Sequence, residues 1–435
     1  MPNARETAVE VLMRCERGGY SNLVLMNVLS ENGLDARDRA FCTALVYGTL
    51  SRKITIDAIL SRFVSRDISR LDMEVRQILR TGVYQIFWMD SVPLRAAINE
   101  SVELCRRFRK SSASGFVNAV LRKVSSENID SAWSHIDDET ARMSVKYSMC
   151  QGLVELLAEQ YGDEAESVMS AMFRREDTYL RVNSLMCGDE QAAERLRSEG
   201  IEVWETEIPH CLRVLSGNPV GTSAARTGLV RVQSFPAQYA AYAASAIAGN
   251  RALDMCAAPG GKTVCMAQDM KDQGAIISLD INAKRLKLID RLVQEQNISI
   301  VKTCQGDASE YNDPESYDIV LCDVPCSGYG EIHSKPELRY KDPAISEDLP
   351  DLQYRILCNG ARLTRQGGRI IYSTCTILDR ENIAIIRKFL KEHDGYSLRK
   401  PDIVPEGAFI IDDAISFIPG RHGSEGFFVA MLIKM

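Results

Sequence analysis

Of the 13 cysteines in this 435-residue chain, two stand where a nucleophile would be placed. Cys326 lies in Asp323-Val324-Pro325-Cys326-Ser327-Gly328, directly after the apolar run Ile319-Val320-Leu321-Cys322. Cys375 lies in Tyr372-Ser373-Thr374-Cys375-Thr376, directly after Arg369-Ile370-Ile371. Both positions read as the point where a buried strand ends and its loop begins. In an open α/β sheet the ligand crevice lies outside the carboxyl ends of the strands, so the pattern predicts that two thiols and the Asp323 carboxylate converge on one cleft. Thiols so placed suit covalent catalysis through sulfur. A free cysteine elsewhere is more often buried and inert; the placement is what sets these two apart.

A second motif bears on the ligand. Cys256-Ala257-Ala258-Pro259-Gly260-Gly261-Lys262-Thr263 falls one residue short of a phosphate-binding P-loop, whose first Gly is replaced by Cys256. Ile319 to Asp323 imitates the acidic strand of an NTPase, which keeps a P-loop ATPase as an alternative. Pro259 stiffens the middle of the loop, however, and acids close the next two strands. Asp280 ends one, where a carboxylate can accept ribose hydroxyls; Asp307 ends the following one, within reach of an adenine amine. Carboxylates in series would repel a triphosphate. They suit a ligand with ribose hydroxyls, an amine and a sulfonium, such as S-adenosylmethionine. A lone Asp at a strand end is commonly a helix N-cap; the series and the Gly-rich turn together favour the ligand.

The elements that must carry these residues fall into three parts. From residue 250 strands and helices alternate: strands over Ala252–Met255, Ala275–Asp280, Val301–Cys304, Tyr317–Cys322, Arg369–Tyr372 and Gly426–Leu432, with helices between them. That alternation predicts a mostly parallel, doubly wound α/β sheet. Residues 146–235 read as a small α+β unit, with strands at Tyr179–Asn183, Ile201–Trp204, Leu212–Leu215 and Leu229–Val232. Residues 126–145 are polar and read as a linker. The first 125 residues show helical spacing throughout, and carry 19 Lys/Arg against 13 Asp/Glu in a chain whose net charge is −7. The basic charge at the front suits a nucleic-acid partner, or records only solvated helix faces. Arg106-Arg107-Phe108-Arg109-Lys110 is a basic cluster with an aromatic in it, able to grip phosphates and stack a base, or equally the polar end of a helix whose Phe108 is core.

Composition excludes several classes. No run approaches the roughly 18 apolar residues of a membrane span, and the start of the chain lacks the apolar core of a signal peptide. An odd number of cysteines argues against a disulfide framework. With no Cys-x-x-Cys pair, no His-Glu-x-x-His and 5 His, no metal site is expected. Reduced thiols in a cytoplasmic, monomeric protein are the expectation.

Asp254 to Thr263, Asp323 to Gly328 and Ser373 to Thr376 resemble the signature segments of the RNA 5-methylcytosine methyltransferases. Arg181-Val182-Asn183 resembles their segment before the catalytic domain, and Pro419 to Phe428 their closing motif. The helical front, with Asp38-Arg39-Ala40 and Tyr47-Gly48, resembles the NusB-like RNA-binding domain that is joined to the catalytic unit in the bacterial small-subunit ribosomal RNA methyltransferase B group. The resemblance implies a Rossmann-like class I S-adenosylmethionine-dependent methyltransferase domain over 236–435. An all-α NusB-like domain over 1–130 and the small α+β unit over 146–235 would precede it. It implies Cys375 as nucleophile on carbon 6 of a cytosine, Cys326 as the thiol that aids elimination, and Asp323 as the group that bonds the base. The cofactor would be held by Cys256, Ala257, Ala258, Pro259, Gly260, Gly261, Lys262, Asp280, Asp307 and Asp323, and the partner would be RNA, ribosomal in the first place. Transfer RNA as substrate, or a non-catalytic RNA-binding or antitermination protein, are the alternatives. The chain departs from the pattern at Gln233-Ser234, at Glu425 and at Glu331, the last an acid where the segment after the Ser-Gly-x-Gly turn usually has an apolar residue.

Overall fold

The computed structural model describes residues 3–435; Met1 and Pro2, the start of the expected front domain, lie outside the described residues. The chain packs as two units. One contains the described residues through Phe173 together with Ile332–Ala344; the other contains Arg174–Glu331 and Ile345–Met435.

The first unit is helical, as its spacing predicts. Helices span Ala4–Glu16, Ser21–Glu31, Ala36–Ser51, Lys53–Ser61, Met73–Trp88, Leu94–Arg107 and Ser114–Val124. Asn3 and Asp35 start two of them by accepting the free N–H groups of Glu6 and Asp38. The Met73–Trp88 helix runs through the core with Ile78, Leu79 and Val83 buried. Phe108 packs against this core, while Arg107 pairs with Glu6 and Lys110 with Asp72. The basic cluster is therefore the polar end of a helix, its ring turned inward.

The polar run 126–145 is not a linker. It ends in a helix over Glu139–Tyr147, started by Asp138 and burying Ser144 and Tyr147. Only one narrow face of this helix is apolar, so its average polarity conceals it. The helices Gln151–Tyr161 and Ala165–Ala171 also pack in this unit. A late segment completes it. Arg339 is fully buried, its guanidinium donating to the carbonyls of Tyr147 and Met172 at 3.0 and 2.7 Å, and Glu337 accepts from Ser21.

The second unit holds two sheets. Strands β1 (Thr178–Val182), β2 (Glu202–Glu205), β3 (Cys211–Ser216) and β4 (Val230–Val232) form a small antiparallel sheet in the order β2-β3-β1-β4. The large sheet is built from β5 (Arg251–Asp254), β6 (Ala275–Asp280), β7 (Val301–Gln305), β8 (Tyr317–Asp323), β9 (Thr364–Thr374), β10 (Tyr396–Arg399), β11 (Phe409–Ile411), β12 (Ala414–Phe417) and β13 (Phe427–Lys434). Its order is β11-β12-β13-β9-β8-β5-β6-β7, with β10 also on β13. The run from β9 to β7 is parallel, and the strands beyond β9 are antiparallel. The continuous apolar run Ile319–Cys322 of β8 is what a strand covered on both faces requires. The sequence reading contains neither β10 nor the β11–β12 hairpin, whose turn is Asp412-Asp413, both at positive φ, as a type I′ turn requires. Strand order reverses between β5 and β8, which places the ligand crevice at their carboxyl ends, where Asp254 and Asp323 stand.

Candidate active site

Each expected thiol lies where the strand pattern put it. Cys375 follows the last residue of β9, and Cys326 lies three residues beyond β8; their sulfurs are 3.3 Å apart. Neighbouring parallel strands bring the loops together: Val324 N–H bonds the Ser373 carbonyl, and Gly330 N–H the Cys375 carbonyl. Gly330 in turn accepts from Gly426 N–H, so close that a Cβ at Gly330 would overlap the Gly426 carbonyl. Behind the Cys326 loop sits Glu381, fully buried, which accepts from Ser327 N–H at 2.8 Å and from Gln353 at 2.9 Å. Asn382 bonds Thr374 and Thr376 on either side of Cys375.

Asp323 ends β8 with both carboxylate oxygens engaged. Lys262 donates to one at 2.7 Å and the Ser373 hydroxyl to the other at 2.8 Å. Burial pulls the Lys262 ammonium down, and the adjacent Asp323 more than offsets this, so it stays charged. The Cys375 thiol is held well above its ordinary range, first by its bond with Cys326 and then by burial. It also donates to the Glu331 carboxylate at 3.1 Å.

Beside Asp323 lies a cavity of about 170 Å³ lined by residues that include Asp254, Ala257, Ala258, Pro259, Gly261, Lys262 and Asp323. Gly260 turns the loop with a φ of 103° and packs against Ile289, a conformation and a clearance that favour glycine. Asp254 accepts from Thr263 through one oxygen; the other is buried with no hydrogen-bond partner among the described residues. Burial pushes this carboxyl up to about 7. An unmatched acceptor at a cavity wall, next to a Gly-rich turn, fits an incoming amine. Of the other expected cofactor residues, Asp280 is buried at the end of β6, where it accepts from Ala258 N–H and Arg285. Asp307 is exposed and accepts from Ser309, the bonding of a local cap, which holds its carboxyl low. Cys256 packs against the core under the loop. The structure thus brings Cys326, Cys375, Asp323 and Lys262 together with the loop, and leaves Asp307 at the periphery.

The sequence reading omits Asp254, Ser373, Gln353, Glu381 and Asn382 as parts of the site. Asp379-Arg380-Glu381-Asn382 looks like an exposed polar turn, and nothing in its pattern signals that Glu381 is buried. Arg181 and Asn183 are explained by packing: Arg181 is buried and bonds Gln268, the Cys265 carbonyl and Asp269, while Asn183 bonds Gln296.

Family models match three stretches of the chain: 16S rRNA methyltransferase RsmB/F over residues 243–433, the NusB family over 2–126, and the RsmF/B-like ferredoxin-like domain over 151–221. A probable ribosomal RNA small subunit methyltransferase B of Bacillus subtilis is 33% identical across 99% of both chains. The chain belongs to the 16S rRNA methyltransferase RsmB/F family. A Synechocystis relative described in the same words is 31% identical over the full length of both chains. The solved structure of PH0851 matches 100% of this methyltransferase and 99% of its own chain, with a TM-score of 0.83 at 27% identity. A methyltransferase homolog from Pyrococcus horikoshii shares the fold over 69% of this chain and 100% of its own, with a TM-score of 0.62 at 23% identity. The fold is thus a Rossmann-like methyltransferase domain with an all-α NusB domain before it and a small α+β unit between. The enzyme's cofactor is S-adenosylmethionine.

Proposed function

We propose that this methyltransferase transfers a methyl group to carbon 5 of a cytosine in small-subunit ribosomal RNA through a covalent adduct at Cys375. The observation that carries the reading is the meeting of two thiols from different strand-end loops beside Asp323. Carbon 5 of cytosine is a poor nucleophile; a sulfur adding to carbon 6 makes the ring an enamine and splits one hard step into two easier ones. Asp323 would bond the exocyclic amine and ring nitrogen, stabilising the charge that develops on addition, and Lys262 and Ser373 fix its orientation. Cys326 would aid removal of the carbon 5 proton and so release Cys375.

Asp254 would take the cofactor's amino group, the Ala257–Gly261 turn would cradle it, and Asp280 would meet its ribose once Arg285 moves aside. When bound, the cofactor supplies an electrophilic methyl group. A target base in paired RNA must be extruded at a cost of a few kcal/mol. The helical front would provide phosphate contacts toward that, with affinity that falls steeply with salt.

The deciding experiment follows labelled methyl from S-adenosylmethionine into unmodified small-subunit ribosomal RNA, with transfer RNA in parallel and mass mapping of the product. 5-Methylcytosine at one ribosomal site is expected; label confined to transfer RNA overturns the substrate, and no label in either overturns the activity. Cys375→Ala is expected to abolish transfer while cofactor binding persists. Cys326→Ala is expected to accumulate a protein–RNA adduct that survives denaturing electrophoresis; its absence would remove Cys326 from the release step.

A further inference from the structure

We propose that Glu331 is the base that takes the proton from Cys375 as the sulfur attacks, an inference that rests on Cys375 being the nucleophile. Glu331 closes the short turn Tyr329–Glu331, and its carboxylate accepts from Cys375 Sγ at 3.1 Å. The turn is held from three directions: Glu331 N–H bonds the Gly328 carbonyl, Gly330 N–H the Cys375 carbonyl, and Gly426 N–H the Gly330 carbonyl. Tyr329 beneath it is fully buried. The carboxylate is therefore fixed against the sulfur by the backbone that positions the sulfur itself.

The nucleophile needs such a partner. Its neighbour Cys326 and its burial keep the Cys375 thiol protonated at neutral pH, and the thiol is a far weaker nucleophile than the thiolate. With Cys375 donating to Glu331, the 3.3 Å contact between the sulfurs leaves Cys326 as the donor to Cys375. The result is a directed chain of hydrogen bonds from Cys326 to Cys375 to Glu331. Glu331 lies among other acids: burial, then Glu425 and Glu331, push Glu176 up to about 8, and burial also raises Glu425. Lys262 and Asp323 also act electrostatically on the thiol.

In the step itself the S–H bond breaks and the proton passes to Glu331. The electron pair left on sulfur forms the bond to carbon 6, and the ring's C5=C6 pair moves onto the base, where Asp323 stabilises it. After the methyl group has arrived and carbon 5 has lost its proton, the C6–S pair returns to sulfur. Glu331 then gives its proton back to the thiolate, and one proton has left to solvent per turnover.

The test uses the full chain, S-adenosylmethionine and a small-subunit ribosomal RNA transcript containing 5-fluorocytidine, whose carbon 5 holds no removable proton once methylated, so that the adduct accumulates. Its formation is followed from pH 6 to pH 10 for the parent chain, Glu331→Gln and Glu331→Asp. General-base catalysis contributes about a hundredfold or more, so Glu331→Gln is expected to slow adduct formation by at least that factor near pH 7.5. The deficit should shrink toward pH 10, where hydroxide competes with Glu331 as the base. Glu331→Asp should recover part of the rate, with cofactor and RNA affinity unchanged in both variants. A Glu331→Gln rate within threefold of the parent, or a deficit that is constant across pH, overturns the role of Glu331 while leaving Cys375 as nucleophile. No adduct in the parent chain overturns the nucleophile assignment and this inference with it.

Discussion

Asp254 is where burial and ligand binding pull in opposite directions. Its carboxyl sits almost wholly out of water with one oxygen unmatched, which disfavours the charged form and raises it from 3.8 to about 7. Between those values the folded chain holds a proton that the unfolded chain has lost. The contribution of this group to stability therefore falls as pH rises from about 4 to about 7, and is at its least favourable above that. Asp254→Asn is expected to raise the melting temperature most at pH 8, with a gain that dwindles toward pH 4, while affinity for S-adenosylmethionine at pH 8 drops at least tenfold. Thermal melts across that range, paired with equilibrium titration of the cofactor, check both halves. A gain independent of pH would mean that the carboxyl is not the source of the effect.

At the scale of elements, the buried Arg181 on β1 ties the small sheet to the helix over Gly261–Asp269 through Gln268, the Cys265 carbonyl and Asp269. Removing one partner from a buried charged pair leaves the other uncompensated. Arg181→Ala is expected to cost about 3 kcal/mol in urea unfolding and to weaken cofactor binding through the displaced turn; a cost below about 0.5 kcal/mol, typical of a neutral surface change, would show the pair to be inessential. The elements legible in the sequence were those with a sharp local signal. Apolar runs ending in Asp323 and at Cys375 marked β8 and β9 because a doubly covered strand has no polar face. β12 was not legible although it is fully buried, because its four residues lie among Asp and Pro and its partner β11 is half exposed. Glu381 and Ser373 were illegible for another reason. Their importance lies in what they touch across the fold, and neither the buried carboxylate under Ser327 nor the hydroxyl on Asp323 leaves a trace in local periodicity.

The chain as a whole passes between its two units three times, after Phe173, after Glu331 and after Ala344. The catalytic unit is therefore not a simple C-terminal cassette. A chain beginning at Arg174 retains Ile332–Ala344 but lacks the carbonyls of Tyr147 and Met172 that receive Arg339, and the residues around buried Ile332 and Pro336. That truncation is expected to aggregate or melt without cooperativity, and replacing residues 333–343 by a Gly/Ser loop is expected to restore a sharp melt. Size-exclusion chromatography and calorimetry of the two chains decide it; equal behaviour would show that the segment folds without the front.

The same routing fixes an order of events during protein synthesis. The front helices leave the ribosome first, but the seat for Arg339 must wait until Arg174–Glu331 has been made, a delay on the order of ten seconds at ordinary elongation rates. Throughout that interval the carbonyls of Tyr147 and Met172 have no guanidinium to receive. The nascent front therefore stays incomplete until the loop carrying Cys326 has emerged, and the two halves of the enzyme mature together rather than one after the other.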